Sequence, residues 1–137
     1  MPDEVVRRGG CACGAVRYEV TGAPFHLAAC HCKLCQRRTG SAFGISCFFA
    51  TRSLRVLQGD LKTWERSSDS GRMVQCHFCR ICGSTVLWNL DVFPDATGIA
   101  GGCFDDTDWI QPENHGSASM AHKWMCFPLD VEGGQQE

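Results

Sequence analysis

Three thiols and one imidazole fall within six residues at Cys30-His31-Cys32-Lys33-Leu34-Cys35. This stretch restricts the fold more tightly than any other. A disulfide needs its two Cα atoms about 4.4–6.8 Å apart at a fixed torsion, and such crowding hardly permits it. A metal ion can use the crowding. Thiolates bind zinc at about 2.3 Å, and zinc asks for little beyond a tetrahedron. The cluster is then either a closed structural site or an open, reactive one.

Other cysteines supply a closed set. Cys11-x-Cys13 is a weak motif alone, but Cys79-Arg80-Ile81-Cys82-Gly83 is a C-x-x-C-G knuckle. Two residues between ligands let both sulfurs face one metal, and the glycine permits the turn. Together Cys11, Cys13, Cys79 and Cys82 make four thiolates, the usual composition of a structural zinc site. Cys30, Cys32 and Cys35 make three, and three protein ligands leave one position for water or substrate, as in a catalytic zinc site. His31 sits between two of these ligands and points away from them if the segment is extended. Cys76, three residues before Cys79, could replace a structural ligand or complete the three-thiol set. Its place on an expected strand favours a buried, small hydrophobic role. Cys47, Cys103 and Cys126 are isolated in apolar company and are read as core.

Cysteine usage also bears on compartment. The 137 residues contain 11 cysteines, an odd count. Met1 to Arg8 shows no apolar secretory core, and no apolar run approaches the roughly 18 residues of a membrane span. The expectation is a cytoplasmic chain with reduced thiols, where cysteine clusters mean metal or catalysis. The formal net charge of -2 and the lack of a dense Lys/Arg stripe argue against nucleic acid or an anionic membrane as partner.

Periodicity points to a mainly β chain in one domain, residues 1–137, with a core of about 9–127. Residues 1–10 read as a loose leader. Val16, Tyr18 and Val20 alternate with polar residues, the period of a half-buried strand. Strands are also expected at 25–29, 43–49, 54–56, 84–90 and 98–103, with a hairpin from 61–66 to 72–78. A short helix is expected over Lys33–Thr39, stopped by Gly40. Gln111 to Gly116 reads as irregular, Ser117 to Met120 as a last short strand, and the tail from Glu132 as frayed.

Three ordered motifs carry a family resemblance. Gly10-Cys11-Ala12-Cys13-Gly14-Ala15-Val16-Arg17-Tyr18 comes first. Cys30-His31-Cys32-Lys33-Leu34-Cys35-Gln36-Arg37-Arg38-Thr39-Gly40 and Phe78-Cys79-Arg80-Ile81-Cys82-Gly83-Ser84 follow. From about Gly9 to Trp124 the chain resembles the glutathione-dependent formaldehyde-activating (Gfa) family, whose domain is shared with centromere protein V. Pro112-Glu113-Asn114-His115 and Lys123-Trp124 resemble its C-terminal part more loosely.

The resemblance implies an Mss4-like fold of packed antiparallel sheets stapled by Zn2+ at two sites. It assigns Cys11, Cys13, Cys79 and Cys82 to structural zinc and Cys30, Cys32 and Cys35 to catalytic zinc, with His31 outside the ligand pattern. It further implies a carbon–sulfur lyase-type enzyme acting on a glutathione-like thiol and a small aldehyde, or on their adduct. Arg37 and Arg38 are candidate partners for the thiol's carboxylates, against the plainer reading of a solvated basic turn. Lys123, Trp124 and His115 are further candidates to approach the site. The alternative is a non-catalytic zinc-binding domain for protein interaction, its three-thiol site capped by Cys76 or His31, or empty. A thiol redox enzyme of the methionine sulfoxide reductase type fits less well, since Cys126 lies in apolar rather than electropositive company.

Overall fold

The computed structural model describes residues 4–67 and 71–126, and the backbone of 132–134. Eleven strands and one α-helix are described. Strands β1 (Val6–Gly10), β2 (Arg17–Thr21) and β5 (Leu54–Gln58) form a three-stranded antiparallel sheet in the order β1-β2-β5. The second sheet is larger and mixed. It contains β3 (His26–Cys30), β4 (Gly44–Ala50), β6 (Leu61–Ser67), β7 (Met73–Cys79), β8 (Thr85–Leu90), β9 (Ala96–Ala100), β10 (Asn114–Gly116) and β11 (Glu132–Gly134). Its order is β11-β10-β3-β4-β9-β8-β7-β6.

Alternation decides how the sheets pack. Val16, Tyr18 and Val20 are fully buried, and the last two leave one face of β2. They meet Cys47, Phe49, Leu87 and Ile99 from the large sheet. The register places Cys47 opposite Ile99 and Ile99 opposite Leu87, so these side chains share one face. A slip by one residue would turn that whole set toward the other face. Fully burying each such side chain is worth about 1.5–3 kcal/mol, so the register is strongly held.

The opposite face of the large sheet carries a second apolar cluster: Phe48, Val74, Cys76, Trp88 and Ala96. Here Phe48 lies opposite Gly98, Gly98 opposite Trp88, and Trp88 opposite Cys76. Gly98 is required by close approach. A β-carbon there would fall 2.6 Å from Cδ1 of Trp88, whose indole lies against β9.

Helix α1 (Lys33–Thr39) begins at Cys32, whose sulfur accepts a bond from the Cys35 N–H, and ends at Gly40. Sequence and structure agree closely on this helix. They part at five other places, one of them Gly101–Cys103, a 3-10 turn where the strand from 98 was expected to continue. The expected leader contains strand β1, whose Gly9 and Gly10 are buried and pair with Tyr18 and Arg17. Residues expected to be irregular contain β10, which runs parallel to β3. Ser117 to Met120 is not a strand. A 3-10 turn covers Ala118–Met120. The tail expected to fray contains β11, parallel to β10. The loop tip at 68–70 and the core's expected limit near 127 lie outside the described residues.

Replacing Gly98 by Ala is expected to cost about 1–3 kcal/mol, the usual range for overpacking a filled site. The urea denaturation midpoint reads this directly. An unchanged midpoint would mean that Trp88 is not held against β9.

Candidate metal centres

The first thiol cluster sits where strands of the two sheets end. Cys11 and Cys13 follow β1 in the small sheet, while Cys79 ends β7 and Cys82 lies in the turn before β8 of the large one. Their four sulfurs lie within 4.8 Å of one another. The Cys11–Cys13 sulfur separation is 3.7 Å and the Cys13–Cys79 separation 3.8 Å. Four sulfurs each about 2.3 Å from one zinc would stand about 3.8 Å apart, so the spacing fits a tetrahedral ion. It is far too long for disulfides, which need about 2.05 Å.

The two turns are built alike. The Gly14 N–H donates to the Cys11 carbonyl and the Gly83 N–H to the Cys79 carbonyl, at 3.1 and 2.9 Å. Both glycines have positive φ, +83° and +81°, where an L side chain would be strained. These turns aim N–H groups at sulfur. Val16 donates to Cys11 Sγ at 3.2 Å and Ile81 to Cys79 Sγ at 3.3 Å. The Ser84 hydroxyl, 3.3 Å from Cys82 Sγ, leads the contacts that hold that thiol low, at about 5. Such donors favour thiolate, the form that binds metal.

Cys30, Cys32 and Cys35 form the second cluster, also within 4.8 Å of one another. Cys30 closes β3, Cys32 caps α1, and Cys35 lies in its first turn. Hydrogen bonding from Cys30 and Cys32 holds the Cys35 thiol down at about 3, with Arg38 adding its charge. The same neighbours push Cys30 up, Cys32 first. The three sulfurs are close enough for ionised thiolates to repel one another. A divalent cation would relieve their repulsion and let all three ionise. The donor set fits a thiophilic metal.

His31 is fully buried, and its Nε2 lies 2.9 Å from Nδ1 of His115. It is not among the grouped ligand atoms. Desolvation first, then His115 and His122, lowers its basicity, so the ring is neutral near pH 7. The parallel pairing of β10 with β3 makes this contact, setting His115 opposite Ala29 and Gly116 opposite Cys30.

Gln36 extends the support. Its amide donates to the carbonyls of His31 and Met120 at 2.8 and 3.1 Å. Its oxygen accepts from Lys33 and His122 at 3.3 and 3.2 Å. Trp124 Nε1 donates to His122 Nδ1, which leaves the His122 proton on Nε2, facing Gln36. Sequence reasoning did not single out Gln36 or His122. The signal that could have found Gln36 is its place one turn beyond Cys32 on the expected helix.

The remaining expectations divide. Arg38 stacks over the Trp88 ring at 4.2 Å and, with Cys30 and Cys35, lines a cavity. Arg37 and Lys123 are exposed. Cys76 is buried in the wall of that cavity and outside both thiol clusters. Cys47 is core, and burial pushes its thiol up to about 12. Cys103 packs against the same core and is pushed up to about 11. Cys126 departs from the core expectation and is exposed. None of the described helices is long and apolar enough to cross a membrane.

Two comparisons bear on these sites. A Rhodobacter sphaeroides protein of known crystal structure matches with a TM-score of 0.59 at 24% identity, covering 74% of this chain and 91% of that one. That likeness is one of fold. Residues 6–120 match the sequence pattern of the glutathione-dependent formaldehyde-activating enzyme family. On that match, which spans both thiol clusters, the chain belongs to the glutathione-dependent formaldehyde-activating enzyme family.

Proposed function

We propose that the protein is a zinc-dependent carbon–sulfur lyase-type enzyme, working on a glutathione-like thiol and a small aldehyde or on their adduct. Cys30, Cys32 and Cys35 hold the catalytic zinc. Cys11, Cys13, Cys79 and Cys82 hold a structural zinc, and the chain acts as one domain. The observation that carries this reading is an asymmetry between the clusters. Four sulfurs make a complete tetrahedral set, whereas three converge with two of them, Cys30 and Cys35, on a cavity wall.

Cys30, Cys32 and Cys35 would hold the zinc, which would supply Lewis acidity that favours the ionised form of a thiol. The chain does the rest. His31, turned to His115 and supported by Gln36, fixes the backbone between Cys30 and Cys32. Arg38, stacked on Trp88, keeps a positive charge beside Cys35. In the addition, the thiolate sulfur forms a bond to the carbonyl carbon. The C=O π pair moves to oxygen, where the Arg38 charge favours it, and the oxygen takes a proton from solvent. The reverse path breaks the carbon–sulfur bond and returns the pair to sulfur.

A groove of about 550 Å3 adjoins at Arg38 and runs past Ser41 and Gly101 to Cys82. That volume is typical of small-molecule sites and suits a tripeptide thiol. A reducing compartment such as the cytoplasm suits 11 free cysteines.

Zinc per reduced chain should be about two for the wild type and about one for Cys32→Ser, read by elemental analysis. One zinc in both proteins would leave the three-thiol set without its metal. In cobalt-loaded protein, added glutathione should shift the thiolate-to-cobalt absorption, and Cys35→Ser should lose most turnover of glutathione with formaldehyde. An unresponsive cobalt spectrum together with no turnover in the wild type would favour a closed, non-catalytic domain.

A further inference from the structure

The three-thiol cluster opens onto a cavity of about 150 Å3 on the second face of the large sheet. Strand register stacks its wall. Phe48, Trp88 and Cys76 stand on that face, as do Leu90 and Val74, which pair directly. Val74 in turn pairs with Arg66 of β6. Cys30 and Arg66 thus come from opposite margins of one apolar wall, and both line the cavity.

Two properties of this space are unexpected for a one-carbon aldehyde. The first is size and polarity. A cavity near 150 Å3 with an apolar lining is large enough for a benzene ring. It falls short of the roughly 300–1,000 Å3 of sites for drug-sized ligands, so a glutathione-like tripeptide does not fit inside. The second is charge. Arg38, Arg66 and Arg72 line it, and no acidic side chain does so among the described residues. Nη1 of Arg66 is buried with no hydrogen-bond partner. A buried guanidinium N–H left unmatched is costly, and a carboxylate satisfies it with a charge-assisted bond.

We propose that this cavity receives the carbon fragment of the substrate, an aldehyde with a ring-sized apolar body ending in a carboxylate that Arg66 binds. The reacting carbon then lies at the Cys30 and Cys35 end, and the thiol's peptide stays outside in the adjoining groove. Bond making is unchanged: thiolate adds to the carbonyl carbon, the π pair goes to oxygen, and solvent supplies the proton. The inference rests on the thiol–aldehyde reading for its chemistry, but the binding it describes does not need turnover.

Calorimetric titration of the zinc-loaded protein with benzoate, benzyl alcohol and acetate tests it. Benzoate should bind at least about tenfold more tightly than either other probe, as expected for one buried charge-assisted contact added to ring burial. Arg66→Met should bring benzoate down to the level of benzyl alcohol. Val74→Trp, which fills the space, should weaken both aromatic probes. If Val74→Trp does not fold, Arg66→Met at its half-exposed position still decides. Benzoate binding no tighter than acetate, or benzoate keeping its advantage in Arg66→Met, overturns the proposal. With glutathione, 4-formylbenzoate should exceed benzaldehyde in kcat/KM by about the same factor. Benzoate binding without turnover of any aldehyde would fail the thiol–aldehyde reading and leave only the carboxylate-binding cavity at Arg66 standing. Formaldehyde turnover without benzoate binding would do the reverse.

Discussion

Four sulfur atoms at the meeting of two sheets set the constraint on which the rest depends. The small sheet offers Cys11 and Cys13 and the large sheet offers Cys79 and Cys82, at separations near 3.8 Å. A metal in that set ties residues almost 70 positions apart. The turns that present the sulfurs are closed by their own backbone bonds, so the chain needs few local contacts to keep them in place. With that corner joined, Val16, Tyr18 and Val20 are held over Phe49, Leu87 and Ile99. The opposite face of the large sheet is then free to carry a site.

On that face the chemistry is assembled from distant parts. Cys30, Cys32 and Cys35 are local, held by the end of β3 and the start of α1. Their surroundings are not local. Gly116 arrives on β10, Trp88 on β8, and Arg66 on β6. The stack of Arg38 on Trp88 joins the helix to the sheet beside the thiols. A cation–π contact of this kind is worth about 0.5–2 kcal/mol, more when water is excluded, and it fixes a positive charge where thiolates need one.

What the sequence made legible follows the same division. Helix α1, the three-thiol set, the two short halves of the four-thiol set and the alternation of β2 each depend on neighbours within a few residues, and the structure has each of them. Motif order was enough to identify the family. Strand β10 was not legible, because three residues, Asn114-His115-Gly116, show no period of their own and owe their conformation to β3. Gly9 and Gly10 read as a linker, yet they lie buried on an inner edge, with Gly9 close against Tyr18. Arg38 was a candidate beside Arg37, and only the position of Trp88 separates the two. Arg66 offered no signal at all, since its role comes from cross-strand register.

The central claim is that the protein holds two thiolate metal sites, one complete and one with a vacant position. X-ray absorption at the zinc edge of the fully loaded protein tests it most directly. Four sulfurs at one site and three at the other average to about 3.5 per zinc, with the remainder oxygen, and glutathione should raise the average toward about 4. An average of 4 before any thiol is added, or scattering from a histidine ring at either metal, would contradict the account.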